Sequence, residues 1–350
     1  MPNNRIFYAV KAVAFAKDGS GSYVSAKGVQ SVGITTTFNL EQFFELGQLA
    51  IYENVENIPD IEVTLEKILD GKPLLYHLAT RGYSSNDLTG RQNQKCSVSV
   101  AFFGDTNNAA SGTQVYEIVC SGMYASASSF TFPVQGACRE SLTLVGNNKL
   151  TKTSGFLFTG GFTNTDTPVT ASGGVNRREN VVFGTGSTIT LDTNNQASTT
   201  TATILPPDVA GITSSGVNIK DSNGNYSCAV QNINVSVDLG REQINELGHL
   251  APYFRYVTFP VEVTTEIEII AKSGDGVAAT DTGINTDGTN LTNRSIRIYA
   301  QEGTFINLGT SNKLSSVTMG GADAGGGNET ITYRYTTFND YVVTHPQDPT

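Results

Sequence analysis

Apolar and polar residues alternate along two long stretches of this chain. After Pro59, the residues Ile61, Val63 and Leu65 face one way, and Glu62, Thr64 and Glu66 the other. After Pro260, Val261, Val263, Thr265, Ile267 and Ile269 oppose Glu262, Thr264, Glu266 and Glu268. A period of two predicts half-buried strands whose carboxylate side stays in water. Upstream of each lies another alternating run, Val29 to Thr37 and Val230 to Val237, which predicts a further strand. Between the strands the spacing changes. Leu40, Phe43, Phe44 and Leu46 form an apolar stripe, as do Leu239, Ile244 and Leu247. Asn39 and Asp238 stand where an N-cap belongs, and Gly47 and Gly248 where a helix ends in positive φ. The pattern predicts one helix of about two turns in each stretch, plugging one face of a β-barrel or sandwich.

The two stretches are copies of one another. Glu45-Leu46-Gly47 matches Glu246-Leu247-Gly248, Leu49-Ala50 matches Leu250-Ala251, and Tyr52 matches Tyr253. Pro59 and Pro260 are as far apart as Gly47 and Gly248. Leu46, Gly47, Pro59, Leu247, Gly248 and Pro260 are therefore taken as the structural core of a duplicated unit. The likeness extends outward. The turn Lys17–Tyr23 matches Lys220–Tyr226, and Cys96–Phe103 matches Arg294–Tyr299. Met123–Phe132 matches Met319–Tyr333, and Glu140–Leu144 matches Asn339–Val343. Residues 151–203, rich in Thr, Ser, Gly and Asn, have no counterpart, yet hold strand-like pieces at Gly155–Thr159 and Val181–Leu191. The expected organisation is a first β unit over 1–150, a structured connector over 151–203 and a second β unit over 204–350.

Composition strengthens the all-β expectation. The 350 residues suffice for two cores. Only 15% are charged, 36 are glycine, Trp is absent, and 14 Tyr and 17 Phe supply the large apolar bodies. Such a chain suits many short strands joined by turns. Its balance of 22 Lys and Arg against 32 Asp and Glu gives −10, which argues against gripping nucleic-acid phosphates. Cys96, Cys120, Cys138 and Cys228 show no metal or disulfide spacing and read as buried thiols of a reducing compartment. The apolar start, Met1 to Ala16, is interrupted by Lys11 and reads as a strand rather than a signal peptide. No apolar run is long enough to span a membrane.

Catalytic chemistry finds little support. Gly184-Thr-Gly-Ser187 lacks the third glycine and following helix of a phosphate loop and reads as a hairpin turn. Gly320 to Gly327 reads as a loop tip. No Gly-x-Ser-x-Gly elbow occurs. His77, His249 and His345 are scattered, and His249 takes the place of Gln48 in the other copy, so it reads as structural. Carboxylates spaced by two on a strand allow a hydrolase dyad geometrically, but no Trp is present to bind a sugar. Neither enzyme, cofactor nor metal is expected.

The stretch Asn232 to Thr265 resembles the tail tube (major tail) proteins of long-tailed bacteriophages, through Glu246-Leu-Gly248, Pro252-Tyr-Phe-Arg-Tyr256 and Phe259-Pro-Val-Glu-Val-Thr264. The first copy is similar but departs at Ile51 and at Glu53-Asn54. The resemblance implies a β-barrel or sandwich flanked by a helix. It also implies a virion protein that stacks as rings into a hollow tube through which DNA passes. A duplicated chain implies three copies per ring with pseudo-six-fold symmetry. The implied partners are copies of itself, tape measure, tail terminator, distal tail or baseplate proteins and, in a contractile tail, a sheath. DNA would be met only in transit, and assembly would occur in the host cytoplasm. Glu62, Glu66, Glu262, Glu266 and Glu268 are the candidate lumen-facing carboxylates. The competing expectation is a soluble β-sandwich module binding glycan, as in an adhesin.

Overall fold

A computed structural model describes residues 5–104, 109, 113–158, 174–184, 230–249, 251–271, 293–321 and 326–349. The turn expected at Lys220–Tyr226, most of the Gly184–Ser187 turn, the 159–173 and 185–203 parts of the connector, Cys228 and Leu250 lie outside the described residues.

The first half contains β1 (Lys11–Lys17), β2 (Val24–Ser25), β3 (Val29–Thr37), β4 (Leu40–Phe44), β5 (Ile51–Glu56), β6 (Asp60–Ile68), α1 (Leu75–Ala79), α2 (Leu88–Arg91), β7 (Cys96–Phe103), β8 (Gln114–Pro133), β9 (Arg139–Gly146) and β10 (Asn148–Lys152). The second contains β11 (Val181–Gly184), β12 (Val230–Asp238), β13 (Arg241–Ile244), β14 (Phe254–Val257), β15 (Glu262–Ile270), β16 (Arg297–Ala300), β17 (Phe305–Asn307), β18 (Lys313–Gly320), β19 (Thr330–Phe338) and β20 (Val342–Thr344). The fold is all-β, as composition and alternation predict. Its sheets are open, and no closed barrel forms among the described residues.

One long antiparallel sheet runs β3-β6-β9-β8-β12-β15-β19-β18 and crosses from the first half to the second at the β8·β12 ladder. β8 serves two layers. Its second half pairs with β9 and β12, while its first half pairs with β7 and β10. The bend coincides with Gly122, whose φ of 66° suits a residue without Cβ. The second layer is β1-β7-β8-β10 in the first half and β11-β16-β17-β20 in the second. These orders are the same, position for position. β11, inside the expected connector, thus pairs with β16 as β1 pairs with β7.

Ladder pairing also corrects the sequence matching. β18 is the counterpart of β8 and β19 of β9, because β6·β9·β8 repeats as β15·β19·β18. The bulges agree: Val29/Ser31 recurs at Val230/Asn232, and Ala125/Ala127 at Leu314/Ser316. β9 therefore corresponds to Thr330–Phe338, not to Asn339–Val343. The apolar sides of both halves meet in one core. It includes Val63, Leu142, Phe130, Val235, Ile267 and Tyr333 of the long sheet, with Phe15, Val98, Phe183 and Ile298 of the second layer. Each such side chain contributes about 1.5–3 kcal/mol by leaving water.

The expected helices do not form. β4 pairs with β5 and β13 with β14 as β-hairpins instead. A short apolar run fits helix and strand alike, and here the partner strand decides, since Phe43 pairs with Glu53 and Ile244 with Phe254. Asn39 does not cap a helix; its amide donates to the Ile58 carbonyl and to Asp60, tying the hairpin base to β6. Gly47 and Gly248 do take positive φ, 95° and 89°, but at hairpin tips. The placement of Leu46 and Leu247 in a repeat core is overturned, since both are fully exposed. Pro59 is half-buried and Pro260 exposed, each just before its long-sheet strand. The α-helices among the described residues, α1 and α2, lie between β6 and β7, where no apolar period announced them.

Candidate assembly surfaces

The uncovered face of the long sheet carries all five candidate carboxylates. Glu62 and Glu262 are exposed; Glu66, Glu266 and Glu268 are half-buried. Strand register sets their surroundings. Glu66 pairs with Ser141, Ser141 with Ser129, Ser129 with Ser236 and Ser236 with Thr264, which draws a row of hydroxyls across both halves. Arg139 of β9 is ion-paired with Glu66, and Arg334 of β19 stands 3.7 Å from Glu266. The face is therefore less acidic than the alternation of β6 and β15 implies, because neighbouring strands bring guanidinium groups to it. Exposed pairs of this kind contribute about 0–1 kcal/mol, so they set local charge more than stability. A shallow depression of about 430 Å³ lies on this face, bordered by Ser129, Ser141, Ser236, Glu262 and Arg334.

The two hairpins project from this architecture in different surroundings. Every residue of β4 is exposed, as is β5 apart from half-buried Val55. Phe38, Leu40, Phe43, Phe44 and Tyr52 are all exposed there. The second hairpin instead leans on the first half. Arg255 is buried and donates to Asp60 at 2.9 Å and to Asn147 at 3.0 Å. Gln243 donates to Asp60 at 3.2 Å, and Arg241 to the Ala125 carbonyl at 2.7 Å. Phe254 sits edge-on to Tyr124 with centroids 5.2 Å apart. Burial works against ionisation of Asp60, but hydrogen bonds from Asn39 and Arg255 outweigh it and hold the carboxyl below its ordinary range. The tips behave alike. Leu46 and Leu247 are both fully exposed, and His249 is exposed 3.9 Å from Glu246.

Among the described residues, both ends of the long sheet are unpaired edges, β3 and β18. Met319 of β18 is 43% exposed and Ile34 of β3 half-buried. Their counterparts at the internal crossing, Phe130 and Val235, face one another and are completely buried. An unpaired antiparallel edge of this length offers its amides and carbonyls to another strand.

Around α1, α2 and the C-terminal turn lies a polar cluster that sequence spacing concealed. The Leu75 and Tyr76 amides, first donors of α1, give hydrogen bonds of 2.7 Å to the fully buried Glu140 carboxylate. An anion at a helix start takes up donors that have no partner within the helix. Burial nevertheless pushes the Glu140 pKa up to about 7, against those amides and Lys67. His77 and His345, far apart in sequence, have ring centroids 6.5 Å apart. His77 Nε2 bonds the Val343 carbonyl at 3.0 Å, and burial, then Arg91, lowers its pKa to about 3. His345 Nε2 meets Glu302 at 2.8 Å, while Arg91 of α2 is ion-paired with Asp348. These contacts fasten the helices of the first half to the C-terminal turn of the second. Tyr341, packed on Tyr76 and bonded to Ser128 at 3.0 Å, completes the joint.

No group of His, Cys, Asp and Glu among the described residues has metal-binding geometry. Cys96 and Cys120 are buried, and burial raises both thiol pKa values, Cys120 to about 11. No described helix is long and apolar enough to cross a membrane.

No protein-family model matches the sequence, and no curated protein does. Among solved structures, a chain of the anti-feeding prophage baseplate matches at 12% identity and a TM-score of 0.34, over 44% of this chain and 99% of its own. A chain of the tube-terminating cap of that particle matches at 11% and 0.32, over 44% and 95%. So does a chain of the sheath-tube complex of an extracellular contractile injection system, at 11% and 0.32 over 44% and 95%.

Proposed function

We propose that the chain is a structural tail protein whose copies pair edge to edge into rings, three chains to a ring, and that these rings stack into a hollow tube. The β8·β12 crossing carries this reading. It joins two pseudo-equivalent units through a ladder in which Phe130 meets Val235 and Ser129 meets Ser236. β18 is the counterpart of β8, and β3 of β12, so the free edges of one chain are the two halves of the same junction. Pairing β18 with β3 of the next copy puts Met319 opposite Ile34 and Thr318 opposite Thr35. Repetition of one junction through a constant rotation closes a ring.

The polar face would then line the lumen, since the apolar face is already covered by the second layer. Glu62, Glu66, Glu262, Glu266 and Glu268, with the hydroxyl row between them, would present DNA with a wetted wall carrying few unpaired cations. Passage without phosphate binding requires that. Leu46 and Leu247, at tips that are alike in both copies, would contact the adjacent ring. Its other partners would be the tail components that start and end such a tube. Negative-stain electron microscopy of the purified protein tests this: rings or hollow tubes are expected. Monomers at every concentration and salt condition would sink it.

A further inference from the structure

We infer that the stem of the first hairpin seats on the second unit of a neighbouring copy, where Glu53 faces Lys313 and Gln42 faces Glu262. This rests on the ring reading above, and the internal joint supplies its geometry. Besides the Arg241 bond to the Ala125 carbonyl, four contacts hold the second hairpin to the first unit: Phe254 on Tyr124, Arg255 on Asp60 and Asn147, and Gln243 on Asp60. Each residue has a ladder-defined counterpart. Within the hairpins, Gln243 pairs with Arg255 as Gln42 pairs with Asn54, and Ile244 with Phe254 as Phe43 with Glu53. Within the long sheet, Thr36 pairs with Ile61 as Val237 with Val263, which makes Glu262 the counterpart of Asp60. Following the ladders outward makes Lys313 the counterpart of Tyr124, and Phe338 that of Asn147.

Transferred to the junction between copies, the aromatic pair Phe254–Tyr124 becomes the opposite charges Glu53 and Lys313. The amide-to-carboxylate contact of Gln243 with Asp60 persists as Gln42 with Glu262. Arg255 with Asn147 becomes Asn54 with Phe338, a side chain that is 54% exposed in the single chain. Glu53, Gln42, Lys313 and Glu262 are all exposed as well, so the same chain holds both halves of the contact uncovered. The occupant is a second copy of this chain. Charge complementarity at the substituted positions selects it over an unrelated partner, since opposite charges appear where the internal joint has two aromatics. The two hairpins therefore divide the work: the internal joint combines the Phe254–Tyr124 pair with the Arg255–Asp60 ion pair, and the joint between copies sets Glu53 against Lys313.

Charge reversal tests this on the full chain. E53K and K313E, each at an exposed position, are expected to raise the concentration needed for ring formation about tenfold or more, as like charges meet across the junction. The double variant E53K/K313E is expected to return it to within about threefold of wild type, with unfolding midpoints unchanged throughout. Assembly is read by sedimentation and electron microscopy at low and high salt. Single variants that assemble as wild type does, or a double variant as impaired as the two singles combined, overturn the pairing while leaving the ring reading intact. A wild-type protein that forms no rings overturns both.

Discussion

The buried carboxylate of Glu140 has a measurable consequence. It is completely enclosed, bonded to the Leu75 and Tyr76 amides, with Lys67, His345 and Tyr341 nearby. Its pKa rises from an ordinary 4.5 to about 7, chiefly through burial. A folded state that holds the proton more tightly than the unfolded chain is favoured at low pH. The contribution is fully present below 4.5 and is lost as pH climbs through about 7. The gap corresponds to roughly 3 kcal/mol. His77 acts in the opposite sense: its pKa falls from 6.5 to about 3, so its contribution is present above 6.5 and is lost as pH falls through 3. The E140Q substitution separates the two. The amide side chain resembles the protonated acid and cannot ionise, so only the Glu140 contribution disappears. Urea unfolding followed by circular dichroism at about pH 4.5, 6 and 8 should show the difference, E140Q minus wild type, moving in favour of the variant by roughly 3 kcal/mol across that range. Parallel stability profiles for the two proteins would refute the assignment of a strained, buried anion at the start of α1.

Other expectations follow from single positions. Phe130, buried where β8 meets β12, should cost about 3–5 kcal/mol when cut to alanine, measured by urea unfolding; a loss below about 1 kcal/mol would mean the junction contributes little to the core. Gly28 has φ 73°, and a Cβ there would stand 2.7 Å from Asp70 Oδ2 beside the buried Lys67. G28A should therefore lower stability by about 1–3 kcal/mol, and an unchanged unfolding midpoint would contradict it. Iodoacetamide at neutral pH should leave Cys96 and Cys120 unmodified in the native protein and label both in urea, as mass spectrometry would show. Labelling of either in the folded state would contradict their burial.

The long-sheet strands were legible because one face is apolar and the other wet, so alternation survives in Ile61-Glu62-Val63 and Ile267-Glu268-Ile269. The hairpins were not. Phe43 and Phe44 satisfy helical spacing as well as a strand, and neither is buried in a way that alternation records. The glycine signal was sound as far as it went: Gly47 and Gly248 need positive φ, and both a helix end and a tight turn supply it. The carboxylate face was visible strand by strand, but Arg139 and Arg334 reach it only through pairing with β6 and β15. The cluster of Glu140, His77, Arg91, His345 and Asp348 left no signal, because its members come from four separate segments.

By itself, then, the amino-acid sequence determined the duplication, the all-β class and the polarity of the long sheet, since each follows from local order: spacing, composition and alternation. Tertiary structure alone decided which strands are counterparts, that the two halves share one sheet and one core, and that one hairpin is docked while the other stands open. Those outcomes depend on ladders between residues a hundred or more positions apart, such as Val235 with Phe130 and Arg255 with Asp60. Hydrogen-bond register and burial choose such partners only once the chain has folded.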